Sequence, residues 1–280
     1  MKGQREKRHS KKMIDLHCHI FPGLDDGSQT MEESLEMARI AEKDGIEKMV
    51  GTPHLFRDNF FYKDLGIIES KRREFIKVLE KNNIRTEVFG GTEVHISHNL
   101  IHEIRKNKEA LVLNQSSYMF VEFPAEHVFS GIKNLFYELM SEGIIPIITH
   151  PERNSVFIRN PALLFDLIQM GGLSQVNSGS FSGIYGEKAR DTVGDFIELG
   201  LVHFIASDCH NTHSIAPRLS EAVSKAANIV GKEKAYSFVW DNPQAVLDDK
   251  QIPYLPCPVN PREKERSFKI KIPRIFKRRK

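Results

Sequence analysis

Along most of the chain, short apolar runs alternate with longer stretches in which apolar positions return every three or four residues. The runs predict strands and the stretches predict amphipathic helices, so their alternation predicts βα units around a parallel sheet. Seven runs qualify as strands: MIDLH at 13–17, EKMVGTPH at 47–54, TEVFGGTEV at 86–94, YMFVEF at 118–123, IIPIITH at 144–150, LSQVN at 173–177 and VHFIASD at 202–208. Helices fit between most of them, at about 31–43, 64–82, 131–142, 161–170 and 187–199. Thr30 is placed to cap the first helix and Gly45 to stop it.

Polar residues of one kind recur at the C-terminal ends of these strands: His17 and His19, His54, Glu93, Glu122, His150, Asn177, then Asp208 and His210. In a βα barrel those ends converge on one face, where active sites are built. The chain has 280 residues, which suits one such barrel of roughly 250 residues. One domain is therefore expected over 13–252. Past about Pro253 the pattern fails, and the sequence turns proline-rich and then basic, so 253–280 is expected to be a flexible tail. Residues 1–12 form a short basic extension.

Composition narrows the classes. The net charge of +3 conceals a segregation: residues 1–12 carry +5, residues 262–280 carry +8, and the remainder carries −10. An acidic body with basic ends is not the face of a nucleic-acid-binding domain. No run of about eighteen apolar residues occurs and the N-terminus lacks an apolar signal region, so a cytoplasmic protein is expected. Cys18, Cys209 and Cys257 share no CxxC spacing and cannot make a paired framework.

The chemistry concentrates first in DLHCHIFPGLDDG at 15–27. A His-x-His pair on an extended segment directs both imidazoles to one side, so His17 and His19 can hold one ion, with Asp26 reaching back from the loop. SDCH at 207–210 repeats the spacing with Asp208 and His210. With His54, Glu93, Glu122 and His150 there are nine nitrogen and oxygen ligands, too many for one ion. Such shells suit Mn²⁺, Fe²⁺ or Zn²⁺. Several ions close together hydrolyse phosphate esters by generating hydroxide and neutralising the phosphoryl group. Arg153, three residues after His150, can offer its planar fork to phosphate oxygens.

Plainer readings cover the rest. His9, His95, His98, His102, His127, His203 and His213 are assigned to surface or core. His98 and His102 lie four apart, but HNLIHE lacks the order of a zinc protease motif. Cys18 and Cys209 flank ligands and are expected to face away from them, as packing residues. No Cys-x5-Arg phosphate loop exists, because the positions six after the cysteines are Leu24, Ile215 and Glu263.

In order and spacing, MIDLHCHIFPGLDDG, GTPH, GTEVH, VEF, THPER, QVNSGS and IASDCHN resemble the bacterial manganese-dependent tyrosine-protein phosphatases encoded with capsule and exopolysaccharide genes. That family belongs to the polymerase and histidinol phosphatase (PHP) superfamily, and the resemblance spans about residues 13–250. It implies an α/β fold, a distorted seven-stranded (β/α) TIM-like barrel, holding up to three ions. Mn²⁺ is the expected metal, with iron, zinc and magnesium as alternatives. The resemblance implies His17, His19, Glu93 and Asp208 on one ion; Glu93, Glu122 and His150 on a second; and Asp26, His54 and His210 on the third. Arg153 matches the arginine that assists phosphate binding and catalysis. A second family arginine falls at Ile215, and Arg218 is the candidate to replace it.

The implied substrate is phosphotyrosine on the C-terminal cluster of a membrane-associated tyrosine kinase that controls polysaccharide polymerisation. The basic C-terminal tail is read either as a solvated end or as a contact with the anionic inner face of the membrane. Two competing functions are a phosphoesterase of small phosphate monoesters such as histidinol phosphate, and a binding module without catalysis.

Overall fold

The computed structural model describes residues 12–57, 60–62, 64–97 and 99–263. The basic ends 1–11 and 264–280, with His9 and His98, lie outside the described residues. The strands are β1 (Met13–Cys18), β2 (Ile46–Gly51), β3 (His54–Leu55), β4 (Glu87–Gly90), β5 (Glu93–His95), β6 (Tyr118–Glu122), β7 (Ile145–Thr149), β8 (Leu173–Asn177) and β9 (Phe204–Ala206). All pair in parallel, as β1-β2-β4 and β3-β5-β6-β7-β8-β9. The seam between β9 and β1 closes through a parallel backbone β-bridge at Cys18 and Cys209, whose thiols stay free. There the Asp208 amide donates to His17 O and the His19 amide to Cys209 O, both at 2.9 Å.

The seven expected strands are thus seven staves of a barrel, but two of them are each broken in two. Between β2 and β3 lies Pro53, which has no amide hydrogen to give a ladder. Between β4 and β5, Gly91 passes so close to the turn at 113–115 that a Cβ there would sit 2.7 Å from Leu113 Cδ2. After each break the chain re-enters pairing in the six-stranded sheet, hereafter the upper sheet, with His54 beside Glu93 and His95 beside Glu122.

Helices Met31–Asp44, Gly66–Lys81, Ile132–Ser141, Pro161–Gln169 and Glu187–Glu198 match expectation within two residues. Thr30 Oγ1 accepts the Glu33 amide at 3.1 Å, and Gly45 ends the first helix with φ of 97°. Apolar residues between strands and helices form the larger core. A smaller one fills the barrel, with Ile14, Leu16, Phe120, Ile147, Leu173 and Phe204 all buried. A register slip in β1 between Asp15 and Cys18 lets His17 face inward just above this layer, its ring centroid 4.7 Å from that of Phe120.

The segment after Pro253 departs from the expected free tail. As far as Arg262 it lies along the barrel near the N-terminal ends of β8 and β9. Val259 donates to Leu199 O at 2.9 Å, Asn242 clasps Tyr254 N and O, and Arg262 forks onto Asp166 at 2.8 and 2.9 Å. The docking relies on backbone groups and single side chains, which leave no periodic pattern in the sequence.

Candidate metal centre

All nine residues proposed as ligands gather at the C-terminal ends of the strands. His17 Nε2 lies 3.2 Å from His19 Nε2, 3.3 Å from Glu93 Oε2 and 3.5 Å from Asp208 Oδ1. His19 Nε2 lies 3.5 Å from Glu93 Oε2 and 3.3 Å from Asp208 Oδ1. Four N/O donors on a tetrahedron about 2.1 Å from an ion would be about 3.4 Å apart. The spacing is therefore that of a metal shell.

Two further groups share these atoms. His54 Nδ1 stands 2.9 Å from Glu93 Oε2 and 3.5 Å from Glu122 Oε2. Asp26 Oδ1 stands 3.4 Å from both His54 Nε2 and His210 Nε2, with His19 packed against both rings. The grouping differs from the expected sets in two respects. His54 joins the Glu93–Glu122 pair, whereas His150 Nε2 meets the other oxygen of Glu93 at 3.0 Å, and His19 joins the third group.

Chemistry makes a cation the natural occupant. Glu93 Oε2, Asp208 Oδ1 and His54 Nδ1 are buried without a hydrogen-bond partner, although such atoms are almost always satisfied. Their neighbours hold them in position. Gln175 Oε1 takes His17 Nδ1 at 2.9 Å and Asp25 Oδ2 takes His19 Nδ1 at 2.6 Å, which turns each Nε2 toward the centre. Asp25 is itself fixed by the amides of Gly27 and His54. Asp208 Oδ2 accepts from Asn177 Nδ2 at 2.6 Å and Arg153 Nη1 at 2.8 Å, leaving Oδ1 for the centre. His150 and Asp208 both hold left-handed backbone, φ of 33° and 52°, a strain found at functional positions.

The electrostatics agree. Burial pushes the Glu93 and Asp208 carboxyls up, yet the facing histidines, His17 foremost, hold both well below the usual carboxylate range. Burial opposes protonation of His17 and His19, but Glu93 and Asp208 around the first, and Asp25 beside the second, raise both. Without metal, the carboxylates thus favour the protonated form of both imidazoles.

Arg153 Cζ lies over the Tyr185 ring, 4.2 Å from its centroid, and the side chain opens with His150, Glu122, Phe123 and Ile158 onto a cavity of about 430 Å³. Arg218 is exposed and lines a separate cavity of about 230 Å³ with Ser178, Ser207, Ile215 and Glu221. Cys18 and Cys209 are fully buried. Cys18 donates to Val50 O, and burial raises its thiol well above the ordinary value. Cys257 is exposed, its carbonyl beside Gly200 at the other end of the barrel. His203, assigned to surface or core, is buried and accepts the Ser174 amide.

Sequence reasoning gave no role to Asp25, Gln175 or Arg57. Arg57 Nη1 donates to Glu122 Oε1 at 2.8 Å and contacts His54 Nε2 at 2.9 Å. Its signal was its place three residues after His54, as Arg153 follows His150.

Residues 13–248, which include all nine candidate ligands, match the family described as capsular polysaccharide synthesis, CpsB/CapC. The chain belongs to the CpsB/CapC family. It is 36% identical over 241 residues to the tyrosine-protein phosphatase YwqE of Bacillus subtilis, covering 86% of this chain and 93% of that one. It is 30% identical over 247 residues to the tyrosine-protein phosphatase CpsB of Streptococcus pneumoniae, covering 86% and 100%. Among solved structures it superposes with a TM-score of 0.83 and 35% identity on one from a study of these two proteins, which describes them as unique metal-dependent tyrosine phosphatases; 88% of this chain and 99% of that one are covered. A β-aspartyl dipeptidase from Fervidobacterium islandicum AW-1, at 13% identity and a TM-score of 0.52 over 86% of this chain and 76% of that one, shares the fold alone. For this CpsB/CapC member, the α/β barrel expected from the sequence is the fold found.

Proposed function

We propose that the chain is a metal-dependent protein-tyrosine phosphatase that hydrolyses phosphotyrosine with activated water and no cysteine nucleophile. The carrying observation is the set of overlapping donor groups around Glu93, whose central atoms are buried without a hydrogen bond. His17, His19, Glu93 and Asp208 would hold one ion. Glu93 and Glu122, with His54 and His150 beside them, would hold a second, and Asp26, His54 and His210 a third. When bound, such ions supply hydroxide at neutral pH and neutralise phosphoryl charge. Manganese is the ion proposed, because imidazole and carboxylate donors without thiolate suit it, and iron or zinc would fit the same donors.

Arg153 would bind the phosphate oxygens, its side chain steadied by Asp208 and Tyr185. The cavity in front of it has the size of a small-ligand site, and Phe123, Ile158 and Tyr185 offer apolar surface to a phenyl ring. The names of the relatives support phosphotyrosine proteins as substrates. The family resemblance supports a membrane-associated tyrosine kinase as partner, with action in the cytoplasm at the inner membrane face. No helix among the described residues is long and apolar enough to cross a membrane. The +8 charge of residues 262–280 supports peripheral attraction to anionic lipid, each basic residue near the surface contributing about 1 kcal/mol.

The test is hydrolysis of a phosphotyrosine peptide by protein stripped with chelator and resupplied with Mn²⁺, beside the His17→Ala/His19→Ala double variant. Activity restored by metal in the parent and absent from the variant is expected. Turnover of small phosphate esters without turnover of the peptide would shift the assignment to a small-monoester phosphatase.

A further inference from the structure

His-x-x-Arg occurs at two strand ends, as His54-Leu55-Phe56-Arg57 and as His150-Pro151-Glu152-Arg153. The two copies lie on different staves, yet the fold delivers both arginines to the wall of the same 430 Å³ cavity. Their settings correspond. Arg153 Nη1 donates to Asp208 Oδ2 at 2.8 Å, and Arg57 Nη1 donates to Glu122 Oε1 at 2.8 Å. Each guanidinium is anchored on a ligand carboxylate at one end of the centre, and the side chains are 36% and 35% exposed.

The backbone turns to bring Arg57 there. Phe56 holds φ of 63°, a left-handed value costly for a bulky residue, and the turn is tied by Phe56 N to Phe60 O at 3.0 Å and Phe60 N to Arg57 O at 2.8 Å. Phe60 in turn stacks on His54. Strain of this kind persists only where the surroundings enforce it, and here it aims one cation into the cavity.

We propose that Arg57 is a second phosphate-binding group, facing Arg153 across the metal centre, so that a phosphoryl group is held between two guanidiniums. The assignment rests on the phosphatase reading but not on the identity of the ester, because the phosphate is common to all of them. Arg218 takes no part: it is exposed and lines a different cavity.

Binding of inorganic phosphate to the manganese-loaded protein, measured by calorimetry, tests this without turnover, so a failure to hydrolyse phosphotyrosine leaves the result readable. Arg57→Ala is expected to weaken phosphate binding at least tenfold with metal content unchanged. Arg57→Lys should recover part of the loss, since it restores charge without the fork, and Arg218→Ala should shift binding less than twofold. Three results with the variants would overturn the proposal: Arg57→Ala binding within twofold of the parent; a larger loss in Arg218→Ala; or loss of metal from Arg57→Ala matching its loss of phosphate, which would make Arg57 a support for His54 and Glu122. Absence of phosphate binding by the metal-loaded parent would also refute it.

Discussion

At the scale of the residue, the centre is a competition between protons and metal for the same atoms. Without metal, burial disfavours charge on His17 and His19, but the carboxylates around them win and both imidazoles hold protons above their ordinary value of 6.5. The stability from those ion pairs is fully present below the unfolded value and is lost as pH rises through the raised folded values. The depressed Glu93 and Asp208 act in the opposite sense, contributing above the ordinary carboxylate range and losing their contribution as pH falls through their lowered values. Metal needs both imidazoles neutral, so it must displace these protons. Apparent metal affinity should therefore increase from pH 6 to pH 8, with net proton release. Calorimetry in buffers of different ionisation enthalpy reads that release directly; affinity flat across the range would mean that the histidines are already neutral without metal.

At the scale of the element, the parts legible in the sequence are those fixed by local pattern. Seven staves, five helices and the ligand-bearing strand ends follow from periodicity and from a polar residue closing each apolar run. The breaks at Pro53 and Gly91 were not legible, because a strand broken and resumed keeps its composition while its pairing changes. Arg57 was missed for a related reason: it sits on a turn, where no period marks which way a side chain faces. The docked segment after Pro253 has the sequence of a free tail because its attachment is not amphipathic. Asn242 is its buried clasp, donating through Nδ2 to His203 O at 2.9 Å and Tyr254 O at 2.8 Å and accepting from Tyr254 N at 3.0 Å. Asn242→Ala would leave the Tyr254 amide and two carbonyls in want of partners, at about 1–3 kcal/mol for each group that stays buried and unsatisfied. A loss of about 2–3 kcal/mol in urea unfolding is expected, together with faster amide exchange across 251–259, whereas metal content should stay at the parental level.

At the scale of the molecule, the candidate ligands bring distant parts of the chain to one point. β1 supplies His17, β3 and β5 supply His54 and Glu93, β6 supplies Glu122, and the ends of β7 and β9 supply His150 and Asp208. Ions bound there would join both sheets and the seam between β9 and β1, so binding should stabilise the whole barrel rather than one loop. A ligand that binds only the folded state adds about 2.7 kcal/mol at a hundredfold excess over Kd and about 4.1 kcal/mol at a thousandfold. For a domain near this size each kcal/mol moves Tm by roughly 2–4 °C. Removing the metal should thus lower Tm by about 5–15 °C in a single shifted transition, recovered on adding Mn²⁺. The carboxylates favour protonation of His17 and His19, and that charge would offset theirs in the metal-free centre, so a lower Tm is expected rather than an unfolded chain. Calorimetric scans of the stripped and reloaded protein decide between these outcomes. If stripping instead split the unfolding into two transitions, the upper sheet alone would depend on metal, and the seam hydrogen bonds between Asp208 and His17 and between His19 and Cys209 would be sufficient to hold the remainder closed.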